Sequence, residues 1–224
     1  MKPRDTATYL YLALAWGLSF LVLLRVVRAF GWAGAVSLRS LLAGGVLLLA
    51  ARLAGRRLDF SAGWRPFAAM GATTVAAQLA GLSLATPRIG TAMMAIMAAT
   101  IPLFSMLLSQ WWGLERITPR RLGGLLLGAL GIVLLVGFPQ VPYTLDFALG
   151  MVAALVTAIS AAWGSNYARR RLQRVDAWSI TAGSFLWGGL FTLPLLLQQP
   201  LPGTPDAGDW LHLLTLAVVM SALA

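Results

Sequence analysis

Seven acids and one histidine carry most of the titratable chemistry of this chain, and their positions decide which reactions are open to it. Asp5, Asp59, Glu115, Asp146, Asp176, Asp206 and Asp209 all fall at the ends of apolar segments or between them. No paired carboxylates poised for general acid–base work can be assembled from them, and no nucleophile–base–orienter set. Cysteine is absent, which removes thiolate nucleophiles, disulfides and thiolate metal sites together. His212 is the only histidine, has no companion at metal-ligand spacing and reads as an interfacial residue. The expectation is a protein that is not an enzyme and has no metal site or cofactor. What remains is non-covalent binding.

The residues suited to that are aromatic and neutral. Trp16, Trp163, Tyr167 and Trp187 lie inside apolar segments, and Ser160, Trp163, Gly164 and Tyr167 share one helical face. An interfacial aromatic belt explains Trp32, Trp111, Trp112, Trp178 and Trp210, which sit at segment ends. It fits Trp16 and Trp163 less well, because both lie several residues inside. Trp16 and Trp163 are therefore expected to line a central pathway with Gln78, Ser160 and Tyr167. Rings there would offer apolar and π surface, and the hydroxyl and amide groups would orient a solute.

A second stripe runs through Thr91, Ala95, Ala98, Pro102, Ser105 and Ser109, spaced alternately four and three apart and so on one side of a helix. Small residues on one stripe suit either close helix packing or the wall of a solute pathway, and both readings stand. Thr91 and Pro102 join the pathway candidates on the second. Pro102, near the middle of its segment, is expected to delete a backbone hydrogen bond and bend the helix among neighbours.

Composition supplies the elements that hold these residues. Hydrophobic residues make up 59% of the chain and charged residues 11%, against about 45–50% and 25% in soluble domains. The chain reads as an all-α polytopic membrane protein with the lipid bilayer as its solvent. Apolar segments, each near the ~20 residues that cross a ~30 Å hydrocarbon core, fall at about 7–27, 34–54, 66–85, 90–112, 122–137, 147–168 and 177–197. An eighth starts near Trp210 and ends at Ala224 without a cap, as though cut in mid-helix. The small residues Ala13-Leu14-Ala15 do not mark a signal-peptide cleavage site, because the apolar run continues through Leu24. The net charge of +10 reflects topology rather than nucleic-acid binding. With the N-terminus inside, cytoplasmic segments hold Lys2, Arg4, Arg52, Arg56, Arg57, Arg65, Arg116, Arg120, Arg121, Arg169, Arg170, Arg171 and Arg174. The opposite side holds Arg25, Arg28 and Arg88. The expected location is the cell inner membrane, multi-pass, with a cytoplasmic N-terminus. Gly124 and Gly128 form a G-x-x-x-G that suits close helix contact and leaves a homodimer open.

An internal repeat orders the segments. Ala13-Leu14-Ala15-Trp16-Gly17 matches Ser160-Ala161-Ala162-Trp163-Gly164 at an offset of 147, and Trp32 then matches Trp178 with one residue lost. Five spans lie between the copies. Because five is odd, the copies enter the bilayer from opposite sides, as in inverted-repeat transporters. The expected layout is five plus five: a first repeat over residues 1–138 and an incomplete second over 146–224. Repeat arithmetic puts the full length at roughly 285 residues, about 60 more than are present. The two tryptophans, Trp16 and Trp163, would face each other across the pseudo-twofold axis.

Arg39 breaks that symmetry. It is the only basic residue clearly inside a segment, and the matching Ser184-Phe185-Leu186 has none. Its head could snorkel to the interface. A cost of about 2.5–3.5 kcal/mol at a helix centre argues against leaving it unpaired in lipid. A charge present in one copy alone leans towards a task, such as drawing a carboxylate-bearing solute to the outer mouth.

The block Thr100-Ile101-Pro102-Leu103-Phe104, then Gly113-Leu114-Glu115-Arg116-Ile117-Thr118-Pro119-Arg120-Arg121-Leu122-Gly123-Gly124, then a Gly-rich helix, resembles the EamA-type branch of the drug/metabolite transporter superfamily. The family pattern has L-G-E where this chain has Gly113-Leu114-Glu115, a change that leaves the glutamate in place. The resemblance implies a secondary transporter, an exporter or exchanger of small organic metabolites such as amino acids. A non-transporting or truncated membrane subunit is the alternative. Glu115, beside Arg116, Arg120 and Arg121, is expected to fix the tight turn by charge-assisted hydrogen bonds, or else to act in a gate.

Overall fold

A computed structural model describes residues 3–137, 144–199 and 201–222. Every element among them is helical. The first helical run, Pro3–Leu53, is interrupted by Gly31 at φ 69°, ψ 169°, a region where a side chain is strained. It therefore comprises α1 (residues 3–30) and α2 (32–53), joined by one glycine rather than by a loop. Gly90, at φ 77° and ψ 162°, does the same between α3 (64–89) and α4 (91–111). Then come α5 (Pro119–Val136), α6 (Leu145–Arg171), α7 (Ala177–Gln198) and α8 (Ala207–Ala222).

Four stretches, Leu10–Leu53, Trp64–Ala98, Leu145–Arg171 and Ala177–Gln198, are long and apolar enough to cross a bilayer. The first has 44 residues, about twice the ~20 that one crossing needs, which suits a run broken into two helices. The molecule is an all-helical membrane protein.

The helix starts follow their capping chemistry. Thr118 accepts from Arg121 N–H, Thr144 from Phe147 N–H, and Asp176 from Ser179 N–H. Asp206 and Asp209 form a reciprocal capping box on α8. Arg169, Arg170 and Arg171 occupy the last turn of α6, where positive charge meets the negative end of the helix dipole.

Pro102 behaves differently from expectation. Helix α4 stops at Ala98 and restarts at Ile101, with Thr100 as the cap and Pro102 in the first turn. First-turn N–H groups have no intrahelical acceptor, so this proline breaks no hydrogen bond. Thr100 Oγ1 donates to Met97 O at 2.6 Å and seals the joint. The bend is a cap between two helical pieces, not a kink in a continuous one. Pro139 and Pro142, which by sequence break the chain into a short turn, lie outside the described residues.

Helix α3 is central, and small residues let it approach both neighbours. Gly71 and Gly188 bring α3 and α7 together, while Gly81 on α3 meets Thr157 and Ala153 of α6. A side chain at any of these positions would overlap the opposite helix. Leu23, Val26 and Phe30 of α1 pack with Leu213, Leu216 and Met220 of α8. Met94 and Met97 of α4 pack with Ala154 of α6. Helix α5 is peripheral: Leu127 and Leu134 are 70% and 74% exposed, and a side chain added at Gly124 or Gly128 would meet no described residue within 4 Å.

The two ends of the bundle differ. At one end Arg56 lies over the Trp178 ring (5.3 Å) and Arg170 over Trp112 (5.7 Å), and Asp59 N–H donates to Ser179 Oγ at 2.7 Å. At the other, Arg88 pairs with Asp146 at 2.9 Å, and Phe30 meets Trp210 edge to face.

Candidate functional site

The structure brings three of the eight candidate residues, Trp16, Arg39 and Gln78, into one cavity of about 220 Å³ between α1, α2, α3, α7 and α8. Thr74, Thr181, Ser184 and Ser221 add hydroxyls to its wall, and Met70, Ile180, Phe185 and Met220 add apolar surface. Two π-helical turns form part of that wall: Gly71–Ala77 carries Thr74 and Val75, and Val218–Ala222 carries Met220 and Ser221. Such turns turn side chains out of the regular helical register and recur at functional sites.

Arg39 lies inside the bundle. It is only 7% exposed, and its Nε donates to Ser221 Oγ at 2.8 Å. Ser221 in turn donates to Leu216 O at 2.7 Å, which fixes the hydroxyl as acceptor towards the arginine. No carboxylate among the described residues lies within ion-pairing distance of Arg39. Ser184 and Phe185, from the repeat-matched region without a basic residue, line the same cavity.

Pro102 lies elsewhere, in a second cavity of about 400 Å³ with Ser105, Ser109, Glu115, Arg121 and Arg169. Glu115 bridges the two arginines, at 2.6 Å to Arg121 and 2.5 Å to Arg169. The turn between α4 and α5 is thereby tied to the end of α6. Hydrogen bonds from Arg169, then Arg121, hold the Glu115 carboxyl below its ordinary range. Asn166 is fully buried beside this cavity and donates through Nδ2 to Ser105 Oγ at 2.9 Å. The sequence showed Glu115 near basic residues of its own turn, but not the longer reach to Arg169, nor the role of Asn166.

Trp163 and Tyr167 are not with Trp16. Their rings stack at 4.6 Å, and Trp112 meets Trp163 edge to face at 5.7 Å. Trp163 takes its ring partners from its own helix and from the end of α4. Ser160 and Thr91 are half-buried and line neither of the two cavities. Thr74, Gln78 and Gly81 are spaced four and three apart, which puts them on one helical face. No such spacing marks Ser221, because only the π-helical turn brings it to Arg39.

Long apolar helices around a small, mainly apolar cavity that carries one buried arginine are compatible with a membrane transporter. The chain belongs to the EamA-like transporter family, whose model matches residues 7–137. It is a multi-pass membrane transporter of the drug/metabolite transporter type and not an enzyme. No curated protein matches it. A solved structure described only as "Crystal structure of protein" shares the fold, with a TM-score of 0.73 at 21% identity, over 95% of this chain and 74% of that one.

Proposed function

We propose that the protein is a secondary transporter that exports or exchanges small amphiphilic organic metabolites, amino acids or similar solutes, across the inner membrane. The observation that carries this is the half-open cavity of Trp16, Arg39 and Gln78, lined by five helices of a transporter-family chain. At about 220 Å³ it is smaller than the ~300–1,000 Å³ of drug-sized sites, so it suits small solutes. The seven acids lie at helix ends or between helices, which supports transport without a buried carboxylate relay. Five-plus-five inverted repeats remain the organising scheme of this reading, with 1–138 as the first and 146–224 within the second. Cells overproducing the chain should accumulate less of one class of labelled metabolite than cells with an empty vector. An unchanged level for every member of a broad amino-acid and organic-acid panel, with the protein confirmed in the membrane, would remove the transport reading.

In this reading the N-terminus and the arginine-rich end face the cytoplasm, as the loop arginines favour. The chain has no cysteine, so single introduced thiols report without background. Arg56→Cys and Arg170→Cys should resist an impermeant thiol reagent in intact cells, and Gly203→Cys should react. Labelling at position 56 from outside would reverse the orientation.

A further inference from the structure

The cavity of Trp16, Arg39 and Gln78 has one formal charge on its wall and nothing in the described chain to balance it. Arg39 is buried, and its one hydrogen bond among the described residues is Nε to Ser221. That contact holds the guanidinium by its side and leaves Nη1 and Nη2, the fork that matches two oxygens in a plane, without a described partner. The fork meets a half-open cavity rather than bulk water, so a site of this kind favours an occupant that brings the opposite charge.

Resting on the reading of this cavity as the solute site, we infer that its occupant is a small net-monoanionic carboxylate, an organic acid rather than a zwitterionic amino acid, gripped by the Nη fork of Arg39.

Charge balance selects it. A phosphate carries about −1.5 to −2 at neutral pH, and Arg39 is the only basic residue at the wall among the described residues, so a phosphate would bring surplus charge. A zwitterion would add an ammonium to a site without an acid. The hydroxyls of Thr74 and Ser184 donate to Met70 O and Ile180 O, so their oxygens could accept from an ammonium. They carry no charge, however, and would leave Arg39 and the ammonium side by side with one carboxylate between them. The rest of the wall, Trp16, Met70 and Phe185, suits an apolar or aromatic tail.

The test is equilibrium binding to the purified full-length protein, with four probes of matched shape: 3-phenylpropionate, its amide, phenylalanine and phenethylamine. The carboxylate should bind at least about tenfold more tightly than any of the other three, as expected for a desolvated charge pair. Arg39→Gln should bring carboxylate and amide to within about threefold of each other, and Arg39→Lys should fall between, since it keeps the charge but loses the fork. The comparison of probes on the wild-type protein stands even if Arg39→Gln does not fold. Equal binding of carboxylate and amide, no binding of the carboxylate, or phenylalanine binding as tightly as 3-phenylpropionate would each overturn the assignment. Selective carboxylate binding by a protein that fails to export any solute would support the ligand assignment and count only against the transport reading.

Discussion

Gly71→Val is expected to lower the melting temperature of the folded protein by roughly 6–12 °C. A Cβ at position 71 would lie 2.6 Å from Trp187 Cβ, 2.7 Å from Gly188 N and 2.9 Å from Ser184 O. The last two are backbone atoms of α7, and no side-chain rotation can move them away. Overpacking a core typically costs about 1–3 kcal/mol, and separating two helix backbones puts this case at the upper end. Against a total of about 5–15 kcal/mol for a typical protein, that is a large share. The loss would also open the Trp16–Arg39–Gln78 cavity, because Met70, Thr74 and Val75 flank Gly71 on the same helix. Gly128→Val is the matched control, since nothing described lies within 4 Å of a Cβ there. The measurement is the yield and melting temperature of monodisperse protein in detergent. Gly71→Val behaving like Gly128→Val would mean that the α3–α7 crossing is not set by this glycine.

These glycines show how far the fold was legible in sequence. Apolar length and arginine placement located the helices, because bilayer thickness and interfacial charge act on each segment separately. The joints were less legible. Gly31 and Gly90 each serve as a one-residue connection through a positive φ, and a glycine used for a turn looks the same in sequence as one used for packing. Gly71 and Gly81 are packing glycines, while a side chain added at Gly124 or Gly128, which match a packing motif better, would meet no described atom within 4 Å. Spacing reports that a backbone can be approached, not that anything approaches it. The site divided in the same way. Arg39 stood out because a charge in an apolar span is costly wherever it points, and Gln78 and Trp16 follow from their depth. Its partner Ser221 depends on a π-helical turn, which a regular helical period does not report. The second cavity depends on Glu115 reaching Arg169 across 54 residues of chain, a tertiary fact that local charge patterning cannot contain.

Trp16→Ala and Trp163→Ala are expected to fail in opposite ways, although the sequence treats the two tryptophans as a matched pair. Trp16 is 54% exposed and lines the cavity with Arg39. Truncating it removes wall rather than core. Its abundance should stay near wild type, while efflux per molecule of the solute that overproducing cells export best falls roughly tenfold, or about 1.4 kcal/mol of lost stabilisation. Trp163 instead holds two rings, stacked on Tyr167 and edge-on to Trp112. Each such contact is worth about 0.5–1.5 kcal/mol beyond area burial, and Trp112 itself carries Arg170 over its face. Losing that cluster loosens the junction of α4 and α6, so Trp163→Ala should lower the melting temperature and the amount of protein, with efflux per remaining molecule within about twofold of wild type. Quantitative immunoblotting beside efflux separates the two outcomes. A Trp163→Ala protein at full abundance that exports a different set of solutes would return Trp163 to the pathway, where its spacing first placed it.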